Sequence, residues 1–256
     1  MAFYDLSKAD RTRLVQKISA ALEAAFREGK GRACLRYFKD ADTYIRKTAY
    51  LATGRIYFEK PALQGSVLKA LQQLATHKEY HVRQTAVNAA GEIGKKDFKT
   101  VQLFFDRGLS DAHHTVRNAV IGSVKKMGEV NPVPVLKWAK RYLHHEDKEI
   151  RREICHGIEL RGRTHPEDIL PLLKELQFDK TARVRNTLVH VLGQIAYKKG
   201  CLQTVLTDLK TWENSTLVQD ALKEIIDVHN RYKDFAALTQ AAARAMVTAC
   251  FDKDKK

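Results

Sequence analysis

The sequence predicts an all-α fold, a right-handed α-α superhelix of stacked helical hairpins. Three observations predict it. A Val/Ile-Arg pair recurs at Val82-Arg83, Val116-Arg117, Ile150-Arg151 and Val184-Arg185, each 34 residues after the last, and self-similarity at such a period marks a stacked repeat array. Around the pairs, as in TYIRKTAYLATGRI and YHVRQTAVNAAGEI, apolar residues recur at i, i+3, i+4 and i+7, the stripe of an amphipathic helix. Proline is scarce (5) and glycine moderate (13), which permits long helices.

The rest of the unit keeps step with the pair. Ile45-Arg46 precedes the first by 37 residues, and Val218-Gln219 follows the last by 34. Five residues before the pair stand Asp40, Asp111 and Asp179, with Glu213 a variant and His77 and His145 departures; nine after it stand Gly54, Gly91 and Gly193. An Asp in the inter-helix turn can cap the second helix, and small residues let neighbouring helices approach. The pattern resembles the second helix of a HEAT repeat, which implies a HEAT-like, armadillo-type solenoid.

The predicted hairpins pair 8–28 with 40–57, 62–76 with 79–94, 98–109 with 113–128, 132–144 with 147–160, 166–177 with 181–197, and 201–211 with 215–229. Pro61, Pro132 and Pro166 fall at helix starts, where a missing N–H costs nothing. A last helix, about 232–250, is expected to cap the array, and the tail Asp252–Lys256 to fray. No segment reads as a dividing linker. Residues 1–256 are therefore read as one solenoid of about six hairpins, each burying its apolar face only against its neighbours.

Composition excludes several classes. The chain is 44% hydrophobic and 29% charged, with no run near the roughly 18 apolar residues of a membrane span and no apolar signal core in MAFYDLSKADRTR. A cytoplasmic protein is expected. Cys34, Cys155, Cys201 and Cys250 are far apart in sequence and read as single thiols of a reducing compartment. His77 and His81 are spaced i, i+4, but HKEYH is not HExxH, and GEIGKK (91–96) lacks the phosphate-loop spacing. Neither a metal nor a cofactor is expected. His113-His114 and His144-His145 fall in turns, where they cap helices or face solvent. Trp138 and Trp212 are read as packing between hairpins; an aromatic platform shared with Tyr80, Tyr142 and Tyr197 is the alternative.

Charge supplies the functional signal. Forty-five Lys and Arg face 30 acids, a net +15, and such an excess over a repeat array suits DNA or another polyanion. Arg46, Arg83, Arg117, Arg151 and Arg185 form a ladder whose natural partners are Asp40, Asp111 and Asp179, so it is read as structural. Beside it, Arg152, Arg161 and Arg163, with Lys137 and Lys140 on the preceding helix, are the candidate nucleic-acid-binding residues. A cationic row there would follow phosphates without reading sequence. The alternative is a protein-interaction scaffold, since solenoids also bind peptides and helices.

From about Pro134 to Ile226 the order of residues resembles the HEAT-like alkylpurine DNA glycosylases, the AlkC/AlkD superfamily. The landmarks are Trp138, IRREICHGIELRGR (150–163), ILPLLKELQFDKTARVRNTLVHVLGQI (169–195), Trp212 and STLVQDALKEII (215–226). Arg151, Arg152, Gly157, Arg161 and Arg163 fit the first segment. Leu170 to Leu173, Asp179, Val184-Arg185, Leu192 and Ile195 fit the second. The resemblance implies a DNA-binding protein related to alkylation repair. Such enzymes stabilise a cationic sugar with carboxylates. Here His156 stands where the family has a Glu and Gln194 where it has an Asp, and neither supplies that negative charge. Glu153 and Glu159 are expected to pair with arginines of their own helix. The resemblance thus implies binding more readily than base excision.

Overall fold

The computed structural model describes residues 3–251; the expected fraying of Asp252–Lys256 lies outside the described residues. All the regular structure among them is helical. They form two compact units, one ending at Asn131 and the other beginning at Pro132.

The first unit contains α1 (Lys8–Arg27), α2 (Leu35–Phe38), α3 (Thr43–Glu59), α4 (Gln64–Leu74), α5 (Tyr80–Gly94), α6 (Phe98–Leu109) and α7 (His114–Val130). The second helices α3, α5 and α7 carry the Val/Ile-Arg pairs and pack in series, α5 against both neighbours. The packing follows from small residues. On α5, Val82, Ala86, Ala89, Ala90 and Ile93 are fully buried, and a Cβ on Gly91 would lie 2.5 Å from Ser123 Oγ on α7. Only hydrogen fits between the two helices there. Outside them, Phe98 and Phe105 of α6 stack with centroids 5.8 Å apart.

One segment of this unit departs from the sequence reading. Residues 31–38, between the expected helices 8–28 and 40–57, form a 3-10 turn (Gly31–Cys34) that runs into α2. Cys34, Tyr37 and Phe38 are buried where the segment meets α1, α3 and α4. A helix this short shows no full apolar period, so the sequence pattern cannot register it.

The second unit contains α8 (Pro132–Lys140), α9 (Lys148–Gly157), α10 (Glu159–Gly162), α11 (Leu170–Lys174), α12 (Ala182–Ala196), α13 (Cys201–Leu209), α14 (Ser215–Arg231) and α15 (Gln240–Phe251). Here α12 packs against both α9 and α14. The helix expected over 166–177 is a 3-10 turn, Pro166–Asp168, followed by α11. Pro171 lies in the first turn of α11, where its missing N–H and fixed φ favour a fresh start over continuation. The last helix begins at Gln240 rather than near 232. Tyr232 stacks on Tyr197 with centroids 5.3 Å apart, and the Ala237 N–H donates to the Tyr197 carbonyl at 3.0 Å. Those tertiary bonds replace the helical ones over 232–239. Both tryptophans are packing residues: Trp138 is 2% exposed and Trp212 7%, and Trp212 Nε1 donates to Asp208 Oδ2 at 2.7 Å.

The arginines of the pairs tie the turns together. Arg83 donates to the carbonyls of His77 and Lys78 at 2.8 and 3.0 Å, in the turn before its own helix. Its other nitrogens form a fork on Asp111 of the next turn, at 2.7 and 2.8 Å. In the second unit Arg151 repeats the arrangement: it donates to the carbonyls of His145 and Glu146 at 2.7 and 2.9 Å and grips Asp179 at 2.6 and 3.1 Å. Arg46, Arg117 and Arg185 each donate to the carbonyl of the residue six before them, respectively Asp40, Asp111 and Asp179. The aspartates also differ in role from a helix cap. Asp40, Asp111 and Asp179 accept from the N–H two residues on, each at 2.8 Å, which fixes the turn. The second helices are capped instead by Asp42, His113, Asp147 and Asn214.

Burial pushes the Asp111 carboxyl up, but hydrogen bonds from Arg83 and the His113 N–H, with the charge of Arg83, outweigh it and hold the group below the usual range. Burial likewise opposes, and Arg151 with the Thr181 N–H overcomes, the shift at Asp179. A carboxyl depressed in the folded state contributes its full stability above the unfolded value of about 3.9 and loses it as pH falls through the folded value. Replacing Arg151 with Ala is expected to lower the unfolding free energy by about 2 kcal/mol in urea titrations at neutral pH. The gap between the variant and the parent should then narrow below about pH 4. For Gly91→Ala, the contact with Ser123 should outweigh the gain in helix propensity and destabilise by about 1 kcal/mol, read as a lower urea midpoint.

Candidate functional site

The five cations singled out from the sequence do not form one group. Lys137 and Lys140 are exposed on α8, and Lys140 Nζ reaches Glu175 Oε1 at 3.0 Å. Arg161 is committed to Asp168, with nitrogens 2.6 and 2.7 Å from its Oδ2. Arg152 bonds Glu149 Oε2 at 3.0 Å and stands 3.7 Å from Glu153 Oε1. Arg163 turns inward to Glu159. Carboxylates thus occupy four of the five.

What the structure does bring together is a cluster around Glu159, built from α9, α10, α12 and α14. Glu159 opens α10 with its side chain 2% exposed. A carboxylate so deeply buried requires compensating partners, and Arg163 and His156 are among them. Arg163, one turn on, forms an ion pair with Oε1; His156 Nε2 lies 3.1 Å from Oε2. Arg163 also donates to Gln194 Oε1 at 3.0 Å. His156 thus contacts the buried carboxylate directly, and Gln194 joins the cluster through Arg163. The Gln194 Nε2 and Arg163 Nε are buried with no hydrogen-bond partner among the described residues.

The cluster continues along the repeat. His156, His190 and Glu224 occupy the same place on three second helices, each 34 residues after the last. The rings of His156 and His190 meet edge to face with centroids 6.0 Å apart. His190 Nδ1 lies 3.9 Å from Glu224 Oε1, which Arg231 also holds at 2.5 Å. A Cβ on Gly193 would come 2.7 Å from Glu224 Cγ, so this glycine sets the close approach of α12 to α14. Burial lowers the proton affinity of His190; the carboxylates Glu159 and Glu224 oppose that, and His156 and Arg231 reinforce it. Taken together, His156, Glu159 and His190 present three ligand atoms within 4.8 Å of one another. No sequence motif marks this cluster, because its third member comes from the next repeat. The one available signal was the equal spacing of 156 and 190 with the repeat itself.

The other chemistry-bearing residues are used structurally. His113 caps α7, its ring accepting from the Thr115 N–H at 3.3 Å, and Tyr80 stacks flat on it with centroids 3.6 Å apart. His77 accepts from the Glu79 N–H in its turn. Burial drives the Cys34 thiol up to about 12 and raises Cys155 and Cys201 as well, so these thiols stay protonated and unreactive.

Residues 32–125 match the HEAT repeats family. No curated protein matches the chain. Among solved structures it is similar to AlkD2 from Streptococcus mutans, at 18% identity over 88% of this chain and 100% of that one, with a TM-score of 0.47. It is similar also to the alkylpurine DNA glycosylase AlkC of Pseudomonas fluorescens, solved bound to DNA containing an abasic site analog, at 13% identity over 84% of this chain and 62% of that one, with a TM-score of 0.49. Computationally designed armadillo repeat proteins resemble it at 14% identity over 76% of this chain and 98% of that one, with a TM-score of 0.35. The hairpins are HEAT-like, and no helix among the described residues is long and apolar enough to cross a membrane.

Removing the guanidinium that neutralises Glu159 leaves a buried charge without its Arg counter-charge. Arg163→Met should cost about 3 kcal/mol of stability in urea unfolding. Adding Glu159→Gln to it should recover part of that loss, because the uncompensated charge is then gone.

Proposed function

We propose that this chain is a nucleic-acid-binding protein, with duplex DNA its foremost ligand and a role related to alkylation repair. The observation that carries the reading is a cationic surplus that internal pairing does not consume. The chain holds 45 Lys and Arg against 30 acids, and the ladder arginines Arg83 and Arg151 spend one Asp each. The surplus is uneven. Up to Asn131 there are 23 Lys and Arg against 13 Asp and Glu; from Pro132 there are 22 against 17. On α3, Lys47 and Arg55 stand eight residues apart and both are exposed, available to phosphate contacts. The resemblance of residues 134–226 to alkylpurine glycosylases supports the same ligand.

Within the second unit the proposed contacts are Lys137 and Lys140, the two exposed members of the predicted set. Arg152, Arg161 and Arg163 would contact phosphate only by sharing it with Glu149, Asp168 and Glu159. No base-excision step belongs to the proposal, since Glu159, the buried carboxylate that His156 contacts, is already neutralised by Arg163. The internal use of these arginines is also the observation that favours a second reading, a protein-interaction scaffold.

The test is binding of a fluorescent DNA duplex, with and without an abasic-site analogue, across a salt series. Neutralisation of about six phosphates would give a log–log salt slope near −5. The pair Lys47→Glu with Arg55→Glu should weaken binding to all sequences alike and flatten that slope by about 2. Preference for the abasic duplex would favour the repair role. Absence of binding at about 50 mM salt, where phosphate contacts are strong, would sink the nucleic-acid reading and leave the scaffold.

A further inference from the structure

We infer that His156, Glu159 and His190 form a binding site for one divalent first-row transition-metal ion, of which Zn²⁺ is the best fit. The inference stands apart from nucleic-acid binding. Two imidazoles and one carboxylate are the donor set that such ions take, leaving open positions for water or a further ligand. The distances suit it. Two ligands about 2.1 Å from one ion stand about 3.0 Å apart at a right angle and about 3.4 Å apart in a tetrahedron. His156 Nε2 and Glu159 Oε2 are separated by 3.1 Å, inside that span. The full set lies within 4.8 Å, so a movement of about 1.5 Å by His190 closes the shell. That ring is free to turn, with its side chain 46% exposed.

The surroundings are those of a supported site. Ligating carboxylates and imidazoles are ordinarily held by outer partners. Arg163 holds Glu159 through Oε1, leaving Oε2 toward the histidines. Glu224 stands 3.9 Å from His190 Nδ1, so that Nε2 is the nitrogen left to the ion. The ligands also sit on elements fixed by packing. Gly157 and Cys155 are buried in α9 beside His156, and Leu188, Val191 and Leu192 are buried in α12 around His190. A buried carboxylate, two partly exposed histidines facing it from successive repeats, and unused polar capacity on the adjoining Gln194 are together unlike a solvated surface cluster. The charge of Arg163 opposes every divalent cation alike; the two imidazoles are what favour a first-row transition ion over the oxygen-seeking Ca²⁺ or Mg²⁺.

The probe is Co²⁺, followed by its visible absorption on titration into the full chain, with Zn²⁺ competing and calorimetry giving the stoichiometry. One equivalent is expected, displaced by Zn²⁺ and not by Mg²⁺. The deciding variant is His190→Ala, because the exposed ring can be removed without uncovering the buried Glu159. Loss of a ligand should weaken binding at least as much as loss of an outer partner, about tenfold to a hundredfold, with unchanged circular dichroism. His144→Ala, which removes a histidine paired with Glu175 on other elements, should leave the titration as it was. Failure of the parent chain to take up one equivalent of Co²⁺ or Zn²⁺, or equal uptake by His190→Ala, overturns the site.

Discussion

Five of the second helices carry in their first turn an arginine that cannot be understood from its own helix. Its guanidinium reaches back to the carbonyls of the turn before it and, at Arg83 and Arg151, forward to the aspartate of the next turn. Those turns carry carbonyls that no helix satisfies, and a turn without partners for them would be a weak joint. The planar fork of Arg can satisfy a carbonyl pair and a carboxylate at once, which Lys cannot. The aspartate in turn accepts a backbone N–H two residues on. At Arg83 and Arg151 one side chain therefore fixes the shape of its own turn and its distance from the next. The small residues along the second helices complete the constraint. Gly91 and Gly193 set how near the next helix comes, so that α5 and α7, and α12 and α14, meet at van der Waals distance with little freedom to slide.

The same geometry creates the cluster at Glu159. When hairpins repeat in register, residues at one position of the repeat line up across successive second helices. In the second unit the row holds His156, His190 and Glu224, and Glu159 is drawn in from one turn further along. A carboxylate at 2% exposure would be costly alone. Arg163 and His156 offset that cost, and the price is rigidity: three helices must keep their spacing for the charges to stay matched. Fold and candidate chemistry are therefore coupled in this unit, whereas in the first unit the corresponding positions Asn88 and Gly122 carry no ionisable group.

Charge is divided differently from chemistry. The first unit holds the larger cationic surplus and the second the denser network of ion pairs. An arginine locked to a carboxylate contributes little field at a distance, since the pair is a dipole rather than a charge, while an unpaired lysine contributes fully within a Debye length. Residue type alone overstates the cationic character of 150–163 and understates that of the N-terminal helices, where lysines and arginines are spread thinly and no single stretch looks basic.

The sequence by itself determined the all-α class, the hairpin register and nearly all the helix positions, because 3.6-residue periodicity and a 34-residue repeat are local properties that survive in a one-dimensional string. It also determined that Arg83 and Arg151 would find Asp111 and Asp179, since charge complementarity at fixed spacing is visible there. Three kinds of feature were decided only by the tertiary structure. Residues 31–38 became helical because buried neighbours exist for Cys34, Tyr37 and Phe38, and 232–239 stayed non-helical because Tyr197 captured its ring and its backbone. Arg161 and Arg163, adjacent but one in sequence, went to different partners, Asp168 and Glu159, because a turn separates their directions. Finally, His190 met His156 and Glu159 only because stacking set α12 against α9. A site assembled from two repeats has no sequence motif, since its spacing is the spacing of the fold.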